Sequence, residues 1–147
     1  MASNGVNQAD TTPQAAPVAK KGTILLVDDD KFLLDMYGMK FSRSGYTVET
    51  CLSANEALTS LRKGFRPDVV LFDLTMPELD GFAFLKMLSD EHLADGVLKI
   101  VLTNQSDESE KAKAAELGAS KYIVKASMIP SEVVNMVSDE LAKHKTA

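Results

Sequence analysis

The chain has 147 residues, of which 45% are hydrophobic and 25% charged, and its formal net charge is -5. These values are typical of one soluble globular domain and do not support the basic surface of a nucleic-acid-binding protein. The single cysteine, Cys51, excludes an internal disulfide and argues against a thiolate metal site. We expect a cytoplasmic protein without a membrane span, because no apolar run approaches about 20 residues and no secretory signal is evident.

The amino-terminal segment differs in composition from the rest of the chain. Residues 1–21 are rich in Ala, Gln, Asn, Thr, Ser and Pro and show no hydrophobic periodicity. We therefore predict a disordered leader there, a folded domain over 22–143 and a short tail over 144–147. A docked arm remains an alternative for the leader, and the sequence does not separate a stand-alone protein from an excised domain.

The remainder of the chain alternates between strand and helix patterns five times. Strands are predicted over 23–27, 46–51, 68–72, 98–102 and 120–124, and helices over about 31–43, 53–64, 82–88, 108–117 and 130–143. Such alternation predicts a parallel sheet covered on both faces. The fold class is therefore a doubly wound, flavodoxin-like α/β sandwich of (βα)5 type with strand order 2-1-3-4-5.

Local signals place the ends and faces of several helices. Asp30 is expected to cap the first helix, and the Ser53-x-x-Glu56 pattern is a capping box. Asp80-Gly81 is a possible hairpin turn, but the helical spacing of the apolar residues that follow argues against it. The inner face of the first helix is assigned to Leu33, Met36, Met39 or Lys40, and Phe41.

Four of the five predicted strands end in a side chain with useful chemistry. The apolar run 69–72 ends at Asp73, the first strand at Asp28 and Asp29, the fourth at Thr103 and the fifth at Lys125. Carboxyl ends of parallel strands share one edge, so these groups are expected at one crevice. Clustered acids suit Mg²⁺, an aspartate can attack a phosphoryl group, and an ammonium and a hydroxyl can stabilise phosphoryl oxygens.

The chain over about 23–143 resembles the response-regulator receiver domain of two-component signalling. The matching segments are Ile-Leu-Leu-Val-Asp-Asp-Asp, Leu-Phe-Asp-Leu-Thr-Met-Pro-Glu-Leu-Asp-Gly, Val-Leu-Thr and Lys-Tyr-Ile-Val-Lys. The resemblance implies that Asp73 is the phosphoacceptor and that Asp28 and Asp29 form the acidic pair, with Asp29 a direct Mg²⁺ ligand. The backbone carbonyl of Thr75 would be a further ligand.

The resemblance also implies a switch and a set of partners. Thr103 and Lys125 would contact the phosphoryl oxygens, and Tyr122 would turn inward as the Thr103 hydroxyl moves. The donor would be a histidine kinase or a phosphotransfer protein. An unknown downstream protein would bind the face of the fourth helix, fifth strand and fifth helix, near Lys113, Tyr122 and Met128, without direct nucleic-acid contact.

Some positions depart from the family pattern or vary within it. Ala126 follows Lys125, where receivers often have a proline in a cis bond, so we expect a trans bond and a different loop shape. Thr75 and Gln105 are expected to flank the path of an attacking water and to tune the lifetime of the phosphoryl group.

Two other functions agree less well with the sequence. An aspartate-nucleophile phosphatase of the haloacid dehalogenase type requires a second acid two residues after the nucleophile, where this chain has Thr75. A receiver-fold module that signals without phosphate would be expected to lack a site residue, and none is missing. We therefore expect a phosphoacceptor that is not a multiple-turnover enzyme.

Overall fold

The computed structural model describes residues 21–104 and 106–146, in which five strands alternate with five α-helices. The predicted leader, apart from Lys21, and Gln105 lie outside the described residues. The strands are β1 (Gly22–Val27), β2 (Tyr46–Cys51), β3 (Val69–Phe72), β4 (Leu98–Thr103) and β5 (Lys121–Val124). The helices are α1 (Lys31–Arg43), α2 (Ala54–Arg62), α3 (Gly81–Asp90), α4 (Glu108–Glu116) and α5 (Pro130–Thr146).

The strands form one parallel sheet in the order β2-β1-β3-β4-β5, which confirms the predicted topology. The register pairs Val27 of β1 with Phe72 of β3, and Phe72 with Val101 of β4. The carboxyl ends of β1 and β3 are therefore level at the point where the strand order reverses. This is the position at which doubly wound sheets leave an open crevice.

Both faces of the sheet are covered, which explains the continuous apolar runs of the central strands. Leu25, Val27, Val70 and Phe72 belong to a core shared with α2, α3 and α4. Their chain neighbours, which include Ile24 and Leu71, belong to a second core shared with α1 and α5. No helix in the part of the chain that the structure describes is both long and apolar enough to cross a membrane.

The predicted inner face of α1 was wrong in part. The residues that α1 buries are Leu34, Tyr37 and Phe41, whereas Met39 is 52% exposed. Leu33 and Met36 are only partly buried and pack at the margin of the core. This helix carries apolar residues around much of its circumference, so its periodicity does not choose a face; contact with the sheet and with α5 does.

The predicted helix starts agree with the structure. The side chains of Asp30, Ser53 and Asp80 accept hydrogen bonds from the backbone of the first turns of α1, α2 and α3. Asp80 therefore caps a helix and does not form a hairpin. Glu56 reaches back to the N–H of Leu52, one residue before the usual partner in a capping box.

The end of the fold is longer than predicted. Helix α5 continues three residues beyond position 143, to Thr146, and Nε2 of His144 donates a 2.7 Å hydrogen bond to the carbonyl of Gly96. A single turn of 3-10 helix, Lys125–Ser127, links β5 to this segment. The described residues contain no cis peptide bond, so the bond before Ala126 is trans as expected.

Candidate functional site

The carboxyl edge of the sheet carries an open cavity of about 300 Å³. Its lining comes from residues at and just after the carboxyl ends of β1, β3, β4 and β5, and comprises Asp28, Asp29, Asp30, Leu33, Asp73, Thr75, Thr103, Asn104 and Lys125. All five strand-end residues that the sequence singled out therefore lie around one cavity. They converge because the strands are parallel and their registers bring their ends level.

The acidic side chains of this cavity form a compact cluster. Carboxylate oxygens of Asp28, Asp29 and Asp73 lie within 4.8 Å of one another. Asp28 and Asp73 are buried, whereas Asp29 is exposed on the solvent side. Three carboxylates at this spacing provide the oxygen ligands that a hard divalent cation prefers.

Lys125 lies between two of the acids. Its Nζ donates to Oδ2 of Asp28 at 2.7 Å and to Oδ2 of Asp73 at 3.1 Å. Burial alone would lower the pKa of Lys125, but the hydrogen bond to Asp28 and the charges of Asp73 and Asp28 outweigh it and raise that pKa. Burial raises the pKa of Asp28, against the opposing effect of Lys125. The ammonium is therefore charged at neutral pH and partly neutralises the cluster.

Backbone groups hold the other oxygen of each of the two buried carboxylates. Oδ1 of Asp28 accepts from the N–H of Asp30 at 2.9 Å, and Oδ1 of Asp73 accepts from the N–H of Thr75 at 3.2 Å. Both are turns in which an aspartate bonds its own backbone two residues on. These bonds fix the orientation of both buried carboxylates before any ligand arrives.

A glycine lets the loop after Asp73 fold back on itself. A Cβ built on Gly81 would lie 2.5 Å from the carbonyl oxygen of Asp73 and 2.8 Å from Cα of Leu74. The N–H of Gly81 donates to the carbonyl of Leu74 at 2.9 Å. The start of α3 thus packs directly against the backbone of the central aspartate. The Asp80-Gly81 pair signals a turn in the sequence, but this close approach has no local signal.

Thr103 and Tyr122 lie on the same face of the sheet. Tyr122 pairs with Val101, which is two residues before Thr103 on β4. Thr103 is 1% exposed, and Tyr122 is half-buried against the core shared with α2, α3 and α4. Partial burial, with the nearby charges of Glu110 and Asp107, raises the pKa of Tyr122. The hydroxyl at the cavity and the aromatic ring beside α4 are thus diagonal neighbours.

One predicted site residue lies outside the described part of the chain, and three residues that were not predicted for the site line the cavity. Gln105 lies outside the described residues, and Thr75 is exposed at the cavity rim. Asp30, Leu33 and Asn104 also line the cavity, although no part in the chemistry was predicted for them. The sequence could have indicated them only by position, because each lies within a few residues of the end of a predicted strand.

Comparison with known proteins agrees with this geometry. Residues 24–138 match the family model of the response regulator receiver domain. The transcriptional regulatory protein PhoP for alkaline phosphatase synthesis, from Bacillus subtilis (strain 168), is 33% identical over 84% of this chain and 50% of its own length. The response regulator SaeR of Staphylococcus epidermidis is 33% identical over 82% of this chain and 50% of its own. The chain spans about half the length of these curated relatives.

Solved structures show the same fold. A CheY-like response regulator receiver domain protein from Methanospirillum hungatei JF-1 superposes with a TM-score of 0.77 at 27% sequence identity. That alignment covers 88% of this chain and 98% of the other. The receiver domain of Francisella response regulator 1452 gives a TM-score of 0.74 at 26% identity, covering 84% of this chain and 98% of the other.

Proposed function

Because the chain belongs to the response-regulator receiver domain family of two-component signalling, we propose that Asp73 accepts a phosphoryl group from a phosphohistidine donor. One observation is the main support for this proposal. A carboxylate oxygen of Asp73 lies within 4.8 Å of those of Asp28 and Asp29, and the ammonium of Lys125 donates a hydrogen bond to Asp73. A site built in this way offers a nucleophile, a cation site and a fixed positive charge within one cavity.

The transfer is a single displacement at phosphorus. A carboxylate oxygen of Asp73 bonds to phosphorus while the bond from phosphorus to the donor imidazole nitrogen breaks, and the electron pair returns to the imidazole. Mg²⁺, held by Asp28, Asp29, Asp73 and the carbonyl of Thr75, would supply positive charge that reduces repulsion between the two anions. Lys125 already contacts Asp73, so its ammonium needs to move little to bond a phosphoryl oxygen.

Phosphorylation would then change the conformation of residues on the adjacent strands β4 and β5. We propose that the Thr103 hydroxyl turns toward the phosphoryl group and that Tyr122, its diagonal neighbour, turns into the space that is left. This change would bias two pre-existing conformations of the domain, not create a new one. The surface that a downstream protein reads would be formed by α4, β5 and α5, near Lys113, Tyr122 and Met128. On α4, Nζ of Lys113 lies 4.4 Å from the ring centroid of Phe82.

We place the donor protein over the amino-terminal end of α1. Phe32, two residues after Asp30 at the cavity rim, is 78% exposed, and Met39 continues the apolar surface along the helix. A donor that inserts an imidazole into the cavity must cover this rim. The exposed apolar side chains would then become buried against it, which favours docking.

The protein would act in the cytoplasm through protein contacts, without direct binding to nucleic acid. It would take up and lose one phosphoryl group per cycle, and would not turn over a separate substrate.

The test is incubation with Mg²⁺ and acetyl phosphate followed by intact-mass measurement. We expect a gain of one phosphoryl group in the wild type and in a control variant, Asp139→Asn, which changes an exposed aspartate of α5. We expect no gain in Asp73→Asn and none in the wild type with EDTA. Phosphorylation of Asp73→Asn to the wild-type level would refute the assignment.

A further inference from the structure

Asn104 is a polar residue of the cavity that has no part in the chemistry described so far. It follows Thr103 directly and is exposed at the cavity mouth, where it lines the same space as Asp73 and Lys125. Its carboxamide carries both a hydrogen-bond acceptor and a donor. Within the described residues this side chain makes no hydrogen bond, whereas the carboxylates of Asp28 and Asp73 are held by backbone groups and by Lys125.

The position of Asp73 restricts how a phosphoryl group bound to it can be hydrolysed. Asp73 is 5% exposed and lies on the floor of the cavity, so the phosphoryl group would extend toward the mouth. An attacking water lies in line with the bond that breaks, roughly opposite the leaving oxygen. That water must therefore approach from the mouth of the cavity, which the residues after β3 and β4 help to line.

Two exposed neutral polar side chains line the cavity, Thr75 after β3 and Asn104 after β4. Asp30 is committed to capping α1 through Oδ1, and Leu33 is apolar. Additional negative charge beside a phosphoryl group repels it, which makes an uncoordinated carboxylate a poor neighbour. Asn104 is neutral, and Oδ1 of its carboxamide is an acceptor for a water hydrogen.

We infer that Asn104 positions the water that hydrolyses the phosphoryl group on Asp73, an inference that rests on the function proposed above. The water oxygen bonds to phosphorus as the bond between phosphorus and Asp73 breaks. The electron pair of that bond returns to the carboxylate, and the water proton passes to an oxygen of the departing phosphate. An amide is too weak a base to take this proton at neutral pH, so Asn104 orients the water and does not act as a general base.

The test compares loss of the phosphoryl group from purified phosphorylated protein in the wild type, Asn104→Ala and Asn104→Ser. We expect Asn104→Ala to slow hydrolysis about tenfold, the effect of one hydrogen bond made in the transition state. Asn104→Ser retains an acceptor and should recover part of the rate. Asn135→Ala, which changes an exposed asparagine of α5, should match the wild type.

A second measurement separates water positioning from a structural role. Beryllofluoride mimics the phosphoryl group but undergoes no attack by water, so its affinity should be the same in Asn104→Ala and in the wild type. Hydrolysis that is unchanged or faster in Asn104→Ala overturns the inference, and so does weaker beryllofluoride binding in that variant. If the wild type takes up no phosphoryl group from acetyl phosphate, the proposed function itself fails, and that result precedes any comparison of lifetimes.

Discussion

The ammonium of Lys125 donates a 2.7 Å hydrogen bond to the carboxylate of Asp28, although 97 residues separate the two in the chain. The side chains are 7% and 9% exposed, so this ion pair is largely withdrawn from water. A second bond from the same ammonium reaches Asp73, which ties the ends of β1, β3 and β5 together. Loss of one partner of such a buried set leaves charge without compensation.

Replacement of Lys125 by Met should therefore destabilise the metal-free protein. We expect the free energy of unfolding to fall by about 3 kcal/mol, because Asp28 and Asp73 are left facing one another. Mg²⁺ should restore part of this loss by supplying the missing positive charge. Urea titrations of both proteins, with EDTA and with Mg²⁺, measure the effect; equal destabilisation in both solutions would contradict it.

The same ion pair predicts a dependence of stability on pH. The folded protein raises the pKa of Lys125 above its ordinary value of 10.5. Folding therefore favours the charged form, and the stabilisation is present in full below that value and declines as the pH rises through the folded pKa. The difference in unfolding free energy between the wild type and Lys125→Met should be constant near neutral pH and shrink in strong alkali. A difference that grows with pH would contradict this.

Gly81→Ala should damage the loop that carries Asp73. The added Cβ would lie 2.5 Å from a backbone oxygen, so the start of α3 must move. We expect a loss of about 2 kcal/mol in unfolding free energy and slower phosphorylation by acetyl phosphate. Gly38→Ala is the matched control. It lies inside α1, where the new Cβ meets Cγ2 of Thr50 at an ordinary 3.4 Å, so it should be neutral or stabilising.

Cys51 should be inert in the folded protein. The residue is 5% exposed, and burial, with the nearby charges of Glu49 and Glu56, raises the pKa of its thiol to about 12. The reactive thiolate is therefore scarce near neutral pH. Ellman's reagent should react slowly with the native protein and rapidly in urea. Rapid reaction under native conditions would show that the end of β2 opens readily.

Phe32→Ala should separate donor docking from chemistry. If the donor covers the amino-terminal end of α1, this variant should slow transfer from a phosphohistidine donor, because an exposed ring no longer becomes buried. Phosphorylation by acetyl phosphate should be unchanged, since a small donor needs no docking surface. Equal slowing with both donors would place the defect in the site and not in docking.

Thr75 and Gln105 are expected to tune how long the phosphoryl group survives. Thr75 is exposed at the cavity rim, and its side chain flanks the approach to Asp73. Thr75→Ala and Gln105→Ala should each change the first-order rate of dephosphorylation by several-fold, as expected when one hydrogen bond to water is lost. Time courses of intact mass after removal of the phosphodonor measure this. Rates equal to the wild type in both variants would refute the idea.

Much of the fold could be predicted from the sequence, because strand patterns and helix caps involve residues that are close together in the chain. The apolar run 69–72 reads as a buried strand, and Asp30, Ser53 and Asp80 begin helices through hydrogen bonds that span three residues. Alternation of such elements implies a parallel sheet, and parallel strands bring their ends to one edge. The convergence of Asp28, Asp73 and Lys125 followed from that rule.

Other features depended on contacts between distant segments. The buried face of α1 was misassigned because apolar residues lie around the helix, and only the sheet and α5 select Leu34, Tyr37 and Phe41. The close contact of Gly81 with the backbone of Asp73 is not predicted by any periodic pattern in the sequence.

Sequence alone determined the order of the elements and the kinds of side chain at the strand ends, because both depend on residues that are close together in the chain. Tertiary structure alone decided which side chains share the cavity mouth, Asn104 among them, and how Lys125 divides its bonds between two acids. The physical reason is that a hydrogen bond across 97 residues depends on the packing of the whole sheet.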